Sequence, residues 1–282
     1  MWYKEYKDLF EVDYGTISSS TLDEINEGIL NLQSDKPLIS IVVIAYNEER
    51  TLPACLLSLS RSVCKYPVEI IGVDNNSTDH TAEIYKKSGV LYFNEKKQGH
   101  GHARNCGLYN SRGKYHICID SDTIYPPTYV ESMLDTLLKK KGIILSATYG
   151  FVSTEYSLFN LAVYELIRNI NAAVKSINRP ESVVRGAVII FVAEPVRAIG
   201  FRTDIKRGED GALAYELKSQ GKIVFSRKKK VCAMTSFRSV RGNASIWTIL
   251  YKRIVDQVKR MHYYFYTKTE VECKDEDSNL IK

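Results

Sequence analysis

The segment Leu38–Ala45, Leu-Ile-Ser-Ile-Val-Val-Ile-Ala, is an almost unbroken apolar and largely β-branched run that stops abruptly at Tyr46-Asn47-Glu48-Glu49. A strand wetted on one face alternates apolar and polar side chains; a strand without that alternation is covered on both faces. Covering both faces of a sheet requires helices that cross over it, so this run calls for an α/β fold built on parallel strands. The residues that follow keep the alternation of elements. Thr51–Leu59 reads as a helix, Val68–Val73 as a second strand and Thr81–Lys87 as a helix. Val90–Phe93 is a third strand, Ala103–Asn110 a helix and Tyr115–Ile119 a fourth strand. In such sheets ligands bind beyond the carboxyl ends of the strands.

The flanks read differently. In residues 1–36, Thr21-Leu22-Asp23-Glu24 has the form of a capping box, and Leu22, Ile25, Ile29 and Leu32 recur at helical spacing. This predicts an N-terminal extension with one helix, closed near Asp35-Lys36-Pro37. Beyond residue 142, Ile143–Thr148 is expected as a strand, and Val183–Val192 as another strand region. Leu158–Ile177 is expected as a helix with Leu158, Leu161, Ala162, Leu166, Ile170 and Val174 on its core face and Glu165 outward. Gly211–Gln220 is expected as a helix closed by Gly221. Residues 241–282 make a basic, aromatic helix over 246–266 and a polar tail.

Composition narrows the class. Hydrophobic residues make up 44% of the 282, enough for a sizeable core, and 39 Lys+Arg against 33 Asp+Glu leave a net charge of +6. That balance suits an anionic substrate or membrane surface and gives no footprint for nucleic acid. Cys55, Cys64, Cys106, Cys118, Cys232 and Cys273 form no C-x-x-C pair, which predicts thiols in a reducing compartment. The start, Met-Trp-Tyr-Lys-Glu-Tyr-Lys-Asp, lacks the apolar region of a signal peptide, and no apolar run approaches the ~18 residues of a membrane span. The expectation is a cytoplasmic protein, with peripheral contact at the inner membrane face through 246–266 as a further option. Packing of that segment's apolar side, with its basic side solvated, is the default.

Acidic residues gather where the predicted strands end. Strand one runs into Glu48-Glu49, strand two into Asp74-Asn75-Asn76-Ser77-Thr78-Asp79, and strand four into Asp120-Ser121-Asp122. Carboxylates crowded at one sheet edge repel one another unless a cation sits among them. Asp-x-Asp after a buried strand is a hard-oxygen pair suited to Mg²⁺ or Mn²⁺. Alone it also occurs in plain surface turns. The chain has no Walker sequence and no G-x-G-x-x-G; Gln98-Gly-His-Gly-His102 matches neither, which disfavours an NTPase or a dehydrogenase. If a nucleotide diphosphate binds here, its charge would be met by a metal and by nearby cations such as Arg104.

These residues carry a resemblance. PLISIVVIAYNEERTLPACLLSL, then EIIGVDNNSTDHT, then QGHGHARNCGLYNSRGKYHICIDSDT, then RGAVIIFVAEPVRAIGFRTDIKRGEDGALAYELKSQG stand in the order found in family 2 glycosyltransferases of the GT-A fold, over about residues 37–226. The resemblance implies a catalytic domain over about 37–240. It also implies a nucleotide-diphospho-sugar donor, a UDP-sugar first among them, and a carbohydrate or lipid-linked acceptor. Tyr46, Glu48, Asp74 and Asn75 would line the base and ribose site, with Arg104 and Asp120 also on the donor. Asp120 and Asp122 would be the D-x-D of a divalent metal, and Asp210 of Glu209-Asp210 the general base of an inverting transfer. The sequence departs from the family in two places. Asn75 stands where a second aspartate is common, and no His lies between His116 and His262. Ser236-Phe237-Arg238 follows the last strand instead, which makes Arg238 a phosphate-contact candidate.

Bland alternatives accompany each feature. His100, His102 and His116 with Cys106 or Cys118 fit no ordinary closed zinc spacing, so loop polarity and core packing account for them. Glu209-Asp210 also suits the positive end of a helix. Against a glycosyltransferase stand a nucleotidyltransferase, whose Gly-rich start is replaced here by Tyr-Asn-Glu-Glu, and a non-catalytic nucleotide- or carbohydrate-binding module. Asp120, Asp122 and Asp210 present together disfavour the latter.

Overall fold

The structure, a computed structural model, describes residues 2–152 and 158–236 and, further on, residues 248, 251 and 255. In chain order the elements are α1 (Ser19–Leu32), β1 (Ile39–Ala45), α2 (Leu52–Ser60), β2 (Val68–Asp74), α3 (Thr81–Lys87), β3 (Leu91–Asn94), α4 (His100–Asn110), β4 (Tyr115–Asp120) and β5 (Thr123–Ile124). Then come α5 (Tyr129–Lys140), β6 (Gly142–Ala147), β7 (Tyr149–Val152), α6 (Leu158–Asn178), β8 (Ile189–Val192), α7 (Ala193–Ile199), α8 (Glu209–Leu217), β9 (Lys222–Ser226) and β10 (Ala233–Ser236).

Seven strands form the main sheet in the order β3-β2-β1-β4-β8-β6-β9. Every residue of β1 and of β2 is buried, as the apolar run of β1 requires; in β2 this includes Glu69 and Asp74. β1 pairs in parallel with β2 and with β4, β2 with β3, and β6 with β9; only β8 runs antiparallel, to both β4 and β6. The register sets Ala45 against Asp74 and Ile44 against Asp120. Two acidic strand ends therefore flank the end of β1 on one sheet edge. A second sheet, β5-β10-β7, lies beyond that edge.

The N-terminal residues share the main core. Tyr6, Phe10, Ile25 and Ile29 are buried in the same cluster as Leu52, Leu56, Ile41 and Ile70. Burial of each such side chain contributes roughly 1.5–3 kcal/mol. The helix begins two residues before the expected capping box: Ser18 is the cap, its Oγ accepting from the Thr21 N–H at 3.2 Å. Gln33, just past α1, accepts from Ile70 N and donates to Ile70 O and Gly89 O, which pins the helix end to β2.

Two expectations change. Of Val183–Val192 only 189–192 pair as a strand; 180–183 and 186–188 are 3-10 turns. Pro180 opens the first, where its missing N–H costs nothing. In α6 the expected core face is buried only in part. Leu161 and Tyr164 pack on Phe151, whereas Ala162, Leu166, Ile170 and Val174 are exposed. Glu165 turns inward and its Oε1 accepts from the Phe151 N–H at 2.6 Å. A buried main-chain donor needs a partner, and β7 also offers Tyr149 and Phe151 as a platform for the Arg168 guanidinium.

Candidate active site

The turns after β1 and β2 are laced together. Asn47 adopts a left-handed φ of 53°, and its Oδ1 accepts from Thr78 N at 2.8 Å while its own N–H donates to Ser77 Oγ at 2.9 Å. Glu48 donates its N–H to Thr81 Oγ1 and accepts from Thr51 Oγ1 at 2.7 Å. Tyr46 is exposed at the mouth of this turn. Asp74 is buried; its two oxygens accept from Ser77 N at 3.1 Å and Asn94 Nδ2 at 3.0 Å. Asn75 is buried too. Its amide donates to Glu95 O and Lys97 O and accepts from Gly99 N, so it shapes the 95–99 loop that leads into α4.

Asp120 closes β4. Its N–H meets Tyr125 Oη at 3.3 Å, and that hydroxyl donates to Ala187 O at 2.8 Å. Fully buried Tyr125 thus ties the Asp120 turn to the segment before β8. Asp122 Oδ1 accepts from Thr123 Oγ1 at 3.1 Å and Thr235 Oγ1 at 3.3 Å, and Asp122 O accepts from Ser236 N at 3.0 Å. The pairing of Thr235 with Thr123 in the small sheet fixes this approach.

The centre of the site is Arg104 on α4. Its side chain is 2% exposed and reaches three carboxylates: Nη2 lies 2.9 Å from Asp120 Oδ1, and Nε lies 3.3 Å from Glu209 Oε1 and 3.2 Å from Asp210 Oδ1. Glu209 and Asp210 are the first two residues of α8, where the helix dipole favours negative charge. Burial pulls the Arg104 pKa down, but Asp210, Asp120 and Glu209 together push it well above its ordinary value. For Asp210, burial pushes the carboxyl up to about 6; the Arg104 charge and a hydrogen bond from the Gly186 main chain oppose it, and Glu209 and Asp120 add to it. A carboxylate in that range accepts a proton near neutral pH.

Two glycines make this arrangement possible. A Cβ on Gly186 would lie 1.8 Å from Arg104 Nη2 and 2.6 Å from Asp210 Oδ2, and a Cβ on Gly101 would lie 2.0 Å from Arg202 O. The first lets the chain before β8 close over the ion pair; the second lets the start of α4 seat against the loop before α8.

The donor set suits a hard divalent ion. Asp120 and Asp122 offer carboxylate oxygens, and Asp120, Glu209 and Asp210 share a single guanidinium, which leaves an excess of negative charge. Among the described residues no three His, Cys, Asp or Glu side chains are grouped as a metal cage. Mg²⁺-type sites commonly use one or two carboxylates and leave the remaining positions to water and phosphate oxygens.

The structure joins Asp120 and Asp210 through Arg104 and sets Asp74 at the end of β2, on the other side of β1 from Asp120. Arg238 lies outside the described residues, as does the 246–266 segment apart from 248, 251 and 255. Sequence reading missed Tyr125, Gly186 and Thr235; Gly186 alone left a trace, as the glycine marking the run before β8. His116 is buried, stacked on Phe191 at 4.9 Å, and burial pushes its pKa down to about 3. Burial pushes the Cys118 thiol up to about 12, so it is unreactive.

Residues 40–188 match the family model described as glycosyl transferase family 2. The chain is 28% identical over 225 residues to Glycosyltransferase GlyA of Streptococcus pneumoniae serotype 4, a match covering 74% of this chain and 32% of that protein. The chain spans about a third of the length of that protein, and a third to two-fifths of two other curated relatives. In fold it is similar to S. aureus TarS 1-349 in complex with UDP, with TM-score 0.57 and 17% identity over 83% of this chain and 76% of that one. It is also similar to the mannosyltransferase PcManGT from Pyrobaculum calidifontis in complex with GDP-Man and Mn²⁺, with TM-score 0.55 and 16% identity over 90% and 76% of the two chains.

Proposed function

The chain belongs to glycosyl transferase family 2, and from that premise we propose that it moves a glycosyl group from a nucleotide-diphospho-sugar, a UDP-sugar first among them, to a hydroxyl of a carbohydrate or lipid-linked acceptor. Its fold is of the GT-A type. The observation that carries the reading is the meeting of Asp120, at the end of β4, with Asp210, at the head of α8, across one buried guanidinium. A donor-side carboxylate and a basic carboxylate are thereby held on two walls of one site. The neighbours solved with UDP and with GDP-Man and Mn²⁺ support the donor class.

In this reading Tyr46, Glu48, Asp74 and Asn75 border the base and ribose, and Asp122 with Asp120 holds Mg²⁺ or Mn²⁺. When bound, the ion supplies Lewis-acid stabilisation of the leaving diphosphate. The acceptor hydroxyl oxygen bonds to the anomeric carbon from the side opposite the leaving group. The bond to the diphosphate oxygen breaks with its electron pair, and the hydroxyl proton passes to Asp210. The anomeric centre inverts. The raised basicity of Asp210 supports its role, since a carboxyl near 6 is ionised yet proton-accepting at pH 7. Action in the cytoplasm belongs to the same reading, supported by free thiols at Cys55, Cys64, Cys106, Cys118 and Cys232. No described helix is long and apolar enough to cross a membrane; peripheral contact through 246–266 belongs to the proposal.

A melting-temperature screen of nucleotides and nucleotide-sugars, with and without Mn²⁺, tests this. A ligand of the native state raises stability by RT ln(1 + [L]/Kd). A metal-dependent rise with one nucleotide, followed by release of nucleoside diphosphate from the matching sugar donor, is expected. No rise with any nucleotide would overturn the reading.

A further inference from the structure

We propose that Arg104 is the positioning residue of this site rather than a donor ligand: a shared counter-ion that fixes the base-bearing head of α8 against the end of β4. The inference deepens the proposed transferase reading and rests on its assignment of Asp210.

The geometry separates the two roles. A phosphate-binding arginine presents free N–H donors to the cleft, usually as a bidentate fork. Here the guanidinium is 2% exposed, and Nη2 and Nε are already committed to Asp120, Glu209 and Asp210. The Phe201 ring lies 6.0 Å from its carbon. Nη1 is buried without a hydrogen-bond partner, and Gly186 leaves no room for even a Cβ beside Nη2. Cys118 and His116 of β4 also lie within its field, the former as thiol and the latter as neutral imidazole. A group enclosed in this way has little surface to offer a diphosphate. What it does instead is join elements far apart in the chain: α4 supplies the cation, β4 one anion and α8 the other two. Asp210 Oδ1 has no hydrogen bond of its own, so the Arg104 charge is the main attraction that holds this oxygen. The planar fork of arginine serves several acceptors at fixed angles, which a lysine ammonium does not.

The test uses Arg104→Lys, Arg104→Met, Asp210→Asn and the Arg104→Met/Asp210→Asn double variant of the full chain. The first readout needs no substrate: melting temperatures from pH 5 to 8. Positioning predicts that Arg104→Met melts progressively lower as pH rises and that adding Asp210→Asn restores at least half of the loss. Strictly additive effects of the two changes would overturn the proposal. The second readout is calorimetry with UDP and Mn²⁺, beside the pH profile of diphosphate release from the nucleotide-sugar the wild type turns over. Arg104→Lys should bind UDP within about threefold of wild type, lose tenfold or more in kcat, and show a displaced acidic limb. A tenfold loss of UDP affinity with an unmoved limb would return Arg104 to the donor. A lower melting temperature with unchanged kcat and profile would leave it a purely structural residue and also overturn the proposal. If the wild type neither binds UDP nor turns over any nucleotide-sugar, the functional reading fails, and the melting cycle still decides the Arg104 role.

Discussion

Replacing Asp210 by Asn should make the protein more stable above neutral pH while sharply slowing turnover. The carboxyl is held at about 6 in the fold against an ordinary 3.8, chiefly by burial. Between those two pH values the folded state binds more protons than the unfolded one, so stability falls as pH rises through that window. The contribution is fully present below about pH 4 and lost above about pH 6. A displacement of roughly two units corresponds to about 3 kcal/mol, an upper bound because the side chain is 13% exposed and coupled to its neighbours. Asparagine keeps the shape and carries no charge to desolvate, and Arg104 retains Asp120 and Glu209. At pH 8 the Asp210→Asn variant should therefore melt above wild type by at most roughly 6–12 °C, given about 2–4 °C per kcal/mol for a chain of this size. At pH 4 the two should coincide. Nucleotide release under saturating donor and acceptor, once an acceptor screen has supplied one, should fall by roughly 10²-fold or more. The decisive comparison is the difference in Tm across pH 4–8. A variant that melts lower than wild type at pH 8 would mean that the ionised carboxylate stabilises the head of α8, and the argument from burial would be wrong. Retained turnover would remove Asp210 from the chemistry.

Three further outcomes follow from the geometry. Asp122→Ala should lower UDP affinity in the presence of Mn²⁺ by at least roughly tenfold, because a diphosphate beside unscreened carboxylates is repelled; calorimetry with equal affinity with and without EDTA would contradict this. Gly186→Ala puts a methyl 1.8 Å from Arg104 Nη2 and 2.6 Å from Asp210 Oδ2, so it should cost about 1–3 kcal/mol as overpacking does and depress kcat far more than donor KM. A variant with wild-type stability and kcat would show that the enclosure of Arg104 is looser than described. Tyr125→Phe strips the hydroxyl from Ala187 O and Asp120 N; leaving a buried acceptor unpaired should cost about 1–3 kcal/mol in chemical denaturation, and a loss below about 0.5 kcal/mol would remove Tyr125 as the link between β4 and the chain before β8.

Expectation and structure part company at particular residues. Leu38–Ala45, apart from Leu38 itself, Val68–Val73 and Tyr115–Ile119 form strands, because a run buried on both faces announces itself without reference to its neighbours. α6 shows the opposite case. Its helical period was legible, but the face that packs was decided by β7, whose Phe151 N–H draws Glu165 inward and leaves Leu166, Ile170 and Val174 in solvent. The region 183–192 misled for a related reason: its apolar residues look strand-like, yet Pro180 and the need to bring Gly186 against Arg104 keep the first part in turns.

The α/β architecture and the acidic strand ends were legible in the chain alone, since strand burial and turn chemistry are written within a few neighbouring residues, and the family was legible as a resemblance carried by four segments in order. That Arg104 belongs with Asp120, 16 residues on, and with Glu209, 105 residues on, emerged only once the chain was folded. So did the space that Gly186 leaves for their meeting and the return of Thr235 from β10 to steady Asp122. These are contacts between elements distant in the chain. Their geometry follows from how the sheet twists and which helix lands on which strand, and no local run of side chains encodes it.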